Sequence, residues 1–135
     1  MTHVKEVLKR IQAEAEEAKP DLRWVRTCRE GDAIRQGDVY LYPLDRVPNH
    51  GPVLETRQVA QGESQGSRHI VDGEGTLLER LDGGRDPLAG PYLLAEKRVT
   101  LTHPEHAHIS LPAGWYEIRY QRDFQEVQRV RAVID

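Results

Sequence analysis

Apolar and polar positions divide the chain into one helical stretch at its start and a succession of short β-competent runs. Val4, Val7, Leu8, Ile11 and Ala15 recur at helical spacing while Glu14, Glu16 and Glu17 point elsewhere. This predicts an amphipathic helix over residues 1–19 that Lys19 and Pro20 bring to an end. Residues 21–37 read as a polar connection with Trp24 as its anchor. From residue 38 the period shortens to two. Val39-Tyr40-Leu41-Tyr42, Tyr92-Leu93-Leu94-Ala95 and Arg98-Val99-Thr100-Leu101-Thr102 are strand-like runs separated by glycine and proline clusters. The alternation is clearest between Ala113 and Gln121. There Tyr116, Ile118 and Tyr120 share one face, Trp115, Glu117, Arg119 and Gln121 the other, and Pro112-Ala113-Gly114 supplies the preceding turn.

The predicted fold is mainly β: a small β-barrel or sandwich of about seven or eight short antiparallel strands, with the N-terminal amphipathic helix packed on it. Residues 1–135 are expected to form a single domain, with the β core over 38–134 and an edge or terminal strand in its last residues.

Charge changes the picture mainly by exclusion. Twenty-two acidic and 19 basic side chains leave a net charge of −3, so no strong positive field holds a polyanion and nucleic-acid binding is disfavoured. A single cysteine, Cys28, rules out an intrachain disulfide. It reads as a small core residue, although Arg26 and Arg29 beside it would lower its thiol pKa. No apolar stretch reaches membrane-spanning length and none forms a leader, so a cytoplasmic location is expected.

The candidate chemistry lies in histidines. Strand alternation through Glu105–Leu111 places His106, His108 and Ser110 on one face, with the two imidazoles roughly 6.5 to 7 Å apart. That spacing suits a shared metal such as zinc, whose nitrogen ligands converge at roughly 2.0 to 2.1 Å. His69 would add a distal ligand from another strand, His103 could swing in from the loop before Pro104, and Glu63 or Glu105 would supply a carboxylate. Catalytic patterns are thinner. His108-Ile109-Ser110 is one H-x-S element without the second copy that a two-histidine phosphoesterase needs, and neither a phosphate-binding loop nor a dinucleotide fingerprint is present.

Two resemblances add to this reading. His106-Ala107-His108 followed by Pro112-Ala113-Gly114 resembles part of the cupin pattern, which implies a β-barrel holding a metal with an H-x-H pair and a further histidine. A second set comprises Gln36-Gly37-Asp38-Val39, Gly62-Glu63 with Gly66 and His69, Glu105-His106, Leu111-Pro112 with Gly114-Trp115-Tyr116, and Gln121-Arg122. Over residues 34–124 this set resembles small uncharacterised β-rich proteins encoded by bacteria and phages. The likeness implies no activity, but it singles out His69 and His106.

The sequence therefore predicts a non-enzymatic protein-interaction or assembly module without a cofactor. It would bind a protein partner, or itself as a homo-oligomer, through Val4, Leu8 and Ile11 or through a face bearing Trp115 and Arg119. The alternative is a cupin-like metal site on His69, His106 and His108.

Overall fold

The computed structural model describes residues 21–59, 69–81, 86–121 and 132–134. The helix expected over 1–19, with Val4, Leu8 and Ile11, lies outside them, as does Glu63. Among the described residues there are eleven strands and no helix. They are β1 (Leu22–Trp24), β2 (Asp32–Gln36), β3 (Val39–Leu44), β4 (His50–Val53), β5 (Ile70–Asp72), β6 (Gly75–Arg80), β7 (Ala89–Ala95), β8 (Val99–Thr102), β9 (His108–Leu111), β10 (Gly114–Tyr120) and β11 (Ala132–Ile134).

The strands form two sheets, in the orders β1-β9-β8-β5 and β11-β2-β3-β10-β7-β6-β4. Among the described residues neither sheet closes on itself and no strand of one pairs with a strand of the other, so of the expected barrel or sandwich the closed barrel does not form and two open sheets do. Most pairings are antiparallel: β2–β3, β6–β7 and β8–β9 join consecutive strands, while β3–β10, β7–β10, β4–β6 and β5–β8 join strands apart in sequence. Two edge pairings, β1 with β9 and β11 with β2, are parallel, an arrangement that the long stretch of chain between each pair permits.

The expected polar connection over 21–37 in fact holds two strands. β1 exposes all three of its side chains, so no buried face imposes an alternation that a sequence reading could detect. β2 buries Ala33, Ile34 and Gln36, and the glutamine among them masks an inward position. The alternation read in Ala113–Gln121 is realised in β10, which runs between β3 and β7 with Tyr116 and Ile118 buried.

Both sheets feed one hydrophobic cluster. Ile34, Leu41, Leu93, Tyr116 and Ile118 enter it from the larger sheet, and Val71, Val99, Leu101, Ile109 and Leu111 from the smaller. Close contacts then tie the loops to this core. Gly90 lacks a Cβ where Tyr120 passes: an added Cβ would lie 2.8 Å from the phenol oxygen. That hydroxyl donates to the Val59 carbonyl at 2.5 Å. The Val59 N–H in turn donates to the His69 carbonyl at 3.0 Å, so packing around β10 sets the height at which His69 enters the fold.

Replacing Ile118 by Ala should remove fully buried volume at the centre of the larger sheet and cost about 2 to 5 kcal/mol. Urea unfolding is the measure. Exposed Val53 changed to Ala should move the midpoint far less.

Candidate binding cleft over a histidine cluster

The β2–β3 hairpin turns on Gln36-Gly37-Asp38, and each residue of the turn has a different task. Gln36 is buried, and its amide nitrogen donates to the carbonyls of Leu101, at 2.9 Å, and Ala107, at 2.7 Å. Two carbonyl partners fix which end of the carboxamide is nitrogen, so its oxygen must face the other way, 2.7 Å from Nδ1 of His69. Nδ1 is therefore the protonated nitrogen and donates to Gln36.

Gly37 has φ of 60°, in the left-handed region that glycine enters without a Cβ penalty. It is also packed against a ring: an added Cβ would lie 2.6 Å from Cδ2 and Nε2 of His106. Asp38 is partly exposed, and its Oδ1 stands 3.2 Å from Nε2 of His69.

Three imidazoles meet beneath this turn. The ring centroids of His69 and His103 are 4.5 Å apart, as are those of His103 and His106, while His69 and His106 lie nearly parallel at 6.4 Å. His103 is buried, and its Nδ1 accepts the backbone N–H groups of Glu105 and His106, which shapes the 103–106 turn.

His106 therefore sits on a turn and not on the strand face expected for it, because β9 begins only at His108. The pairing of His106 with His108 is lost. His108 directs Nε2 toward the His103 carbonyl at 3.1 Å. The structure thus brings together His69 and His106, adds His103 as the middle ring, and gives His108 a partner outside the ring stack. Among the described residues, no three His, Cys, Asp or Glu side chains stand where they could share one metal ion.

Burial pushes the pKa of His69 down to about 4, with repulsion from His103 and His106 in the same direction and the Asp38 carboxylate acting against them. The ring is then neutral at pH 7 with its proton on Nδ1. The bare Nε2 lone pair faces a carboxylate oxygen.

A cleft of about 250 Å³ opens above the turn, with Arg23, Arg35 and His106 around it and Gln36, Gly37, Ala107 and Ile109 as its remaining lining. Among the described residues, no acidic side chain lines it. Arg35 is steadied by donation from Nε to the Gly37 carbonyl at 2.8 Å and by the Tyr40 ring, whose centroid is 5.8 Å from its Cζ. Its terminal nitrogens make no hydrogen bond among the described residues. Arg23 reaches the cleft from β1, whose other two side chains, Leu22 and Trp24, are 59% and 63% exposed.

The hydrogen bonds from His108 N–H to the Asp21 carbonyl and from Val25 N–H to the Ser110 carbonyl show which edge of β1 meets β9. By the parallel pattern, the backbone groups of Leu22 and Trp24 point to the opposite, open edge. Arg98 holds this strand from below. It donates to the carbonyls of Val25, Arg26 and Ser110, and its guanidinium lies 3.9 Å from the Trp24 ring centroid.

The remaining sequence candidates are engaged within the domain. Trp115 stacks on His50 at 5.5 Å, Glu117 pairs with Arg80 at 2.9 Å, and Arg119 pairs with Asp86 at 2.9 Å. Cys28 packs against the core beside Tyr116, whose hydroxyl donates to the Pro112 carbonyl, leaving the thiol to donate to the phenol oxygen at 3.5 Å. Burial pushes the Cys28 pKa up, which corrects the expectation drawn from Arg26 and Arg29 and removes it as an activated nucleophile.

Arg23, Arg35, Leu22 and Trp24 were missed as site residues. Arginine and tryptophan in an apparent linker carry no periodic signal: pairing with β9 places Leu22, Arg23 and Trp24, and the β2–β3 hairpin places Arg35.

The chain belongs to a family whose model is described as a domain of unknown function (DUF8820) and matches residues 35–121. The matched span contains the Gln36-Gly37-Asp38 turn and all three stacked histidines, and it excludes β1. No curated protein and no solved structure matches the chain.

Gly37→Ala should force a left-handed alanine and a clash with His106 at once, lowering stability by about 1 to 3 kcal/mol in a denaturant titration. Because the His69 pKa is lower in the folded protein than the ordinary value near 6.5, the unfolded chain binds more protons between about pH 4 and 6.5. Its contribution to stability is complete above that window and falls with pH inside it, by no more than about 1.4 kcal/mol per pH unit. Unfolding curves at intervals between pH 7 and 4.5 should show the decline, and a His69→Gln variant should flatten it.

Proposed function

We propose that this protein is a non-enzymatic interaction module that docks a protein partner, or a second copy of itself, along the open edge of β1. One observation carries the reading: among the described residues β1 is hydrogen-bonded to β9 on one side only, and it presents Leu22 and Trp24 to solvent on the same face. An edge strand with free backbone groups and exposed apolar side chains is a template for strand addition, a common mode of peptide recognition. The hold of Arg98 on Trp24 and on the chain after it keeps the template in place without a partner. The stacked histidines serve as framework, since His69 and His103 use their ring nitrogens on groups of the fold.

A photo-cross-linking residue placed at position 22 tests this in lysate of the source cells. A discrete adduct, absent when the same residue replaces the exposed Val47, is expected, and a dimer-sized adduct identifies self-association. Equal labelling from both positions would sink the edge-strand reading.

A second reading, metal binding, is favoured by one specific contact: the His69 Nε2 lone pair and Asp38 Oδ1 face each other at 3.2 Å, an arrangement that a cation would stabilise. Zinc should then raise the melting temperature of the wild-type protein and leave Asp38→Asn unchanged. Equal effects on both proteins exclude that pair as ligands.

A further inference from the structure

We infer that the cleft beside β1 binds a carboxylate, and that the docking partner is an extended segment alternating acidic and apolar residues. This rests on the edge-strand reading and adds the partner's chemistry to it. Successive side chains of a strand project to opposite faces, so Leu22 and Trp24 lie on one side of β1 and Arg23 on the other. The Arg23 side opens into the cleft that Arg35 and His106 also border.

A strand added at the open edge inherits the same alternation. Residues in line with Leu22 and Trp24 meet apolar surface, and the residue in line with Arg23 meets two guanidinium groups and an imidazole. Charge complementarity then selects an acid at that position. The chain as a whole is net acidic, with −3, yet among the described residues no carboxylate borders this cleft, and the Asp38 carboxylate beside the turn is directed at His69.

Arg35 gives the cleft its geometry. Its Nε is committed to the Gly37 carbonyl, so the guanidinium is held in place with its terminal N–H groups available for the fork-like pairing that suits a carboxylate. His106 is fixed by the bare Cα of Gly37 on one side and the His103 ring on the other, with its own ring nitrogens unbonded among the described residues. Side chains already placed lose little conformational freedom when a ligand arrives.

The test uses the full chain and two labelled peptides, one alternating Val and Glu and one alternating Val and Gln, read by fluorescence anisotropy. The acidic peptide should bind more tightly, and added salt should weaken it toward the neutral one. Arg23→Gln, a change at an exposed position, should lower its affinity about three- to fivefold, as expected for one partly exposed ion pair. Arg35→Gln should lower it further, while neither variant should alter binding of the neutral peptide. Acetate should compete with the acidic peptide at least as well as inorganic phosphate.

Equal binding of the two peptides, abolished by Leu22→Ser with Trp24→Ser, would overturn the carboxylate inference and leave edge docking standing. No binding of either peptide would overturn both. Stronger competition by phosphate than by acetate would overturn the choice of carboxylate.

Discussion

The carboxamide of Gln36 is the constraint on which the site depends. It is buried among apolar side chains, and leaving such a group without partners would cost about 1 to 3 kcal/mol, so its three hydrogen bonds are obligatory. Those bonds reach Leu101 at the end of β8, Ala107 just before β9 and His69 ahead of β5. One side chain thus joins the tip of a hairpin in the larger sheet to three separate segments of the smaller sheet. It also dictates the tautomer of His69, which in turn decides what Asp38 faces.

The rest of the cluster follows from that clamp. With Ala107 tied to Gln36 and His103 capping the turn before it, His106 is left on a short bend over Gly37, where any larger residue would collide with the ring. The cleft is the space above that bend, and its positive lining comes from two unrelated sources. Arg35 arrives by hairpin geometry, and Arg23 by a parallel pairing at the edge of the other sheet. The family match spans the first of these and stops short of the second: the histidine cluster and Arg35 lie within residues 35–121, and β1 lies outside them. The proposed docking edge therefore joins a cleft built mostly within the matched span to a strand that the span does not include.

Several parts of this arrangement were legible in the sequence because a local rule governs them. Period-two alternation located β10 and its buried face, since a strand packed on one side must alternate. The Gly and Pro clusters marked strand ends. His69 and His106 were singled out by the resemblance to small β-rich proteins and not by a local rule, and their rings stand 6.4 Å apart. The expected pairing of His106 with His108 failed because the backbone N–H groups of Glu105 and His106 turn inward to His103 Nδ1 and delay the strand to His108. A face bearing Trp115 and Arg119 reads as open in one strand, but His50 and Asp86, both distant in sequence, cover it.

By itself, then, the sequence determined a mainly β chain, the position of its best amphipathic strand and the glycine and proline breaks between its strands. These rest on side-chain period and on backbone conformations that one or two residues impose. The tertiary structure alone decided that the sheets stay open, that Gln36 is the hub, that His103 belongs to the cluster, and that Arg23 and Arg35 border one cleft. Each depends on pairing between segments far apart in the chain. Such contacts arise from which edges and faces the folded sheets leave free, a property that no single stretch of residues carries.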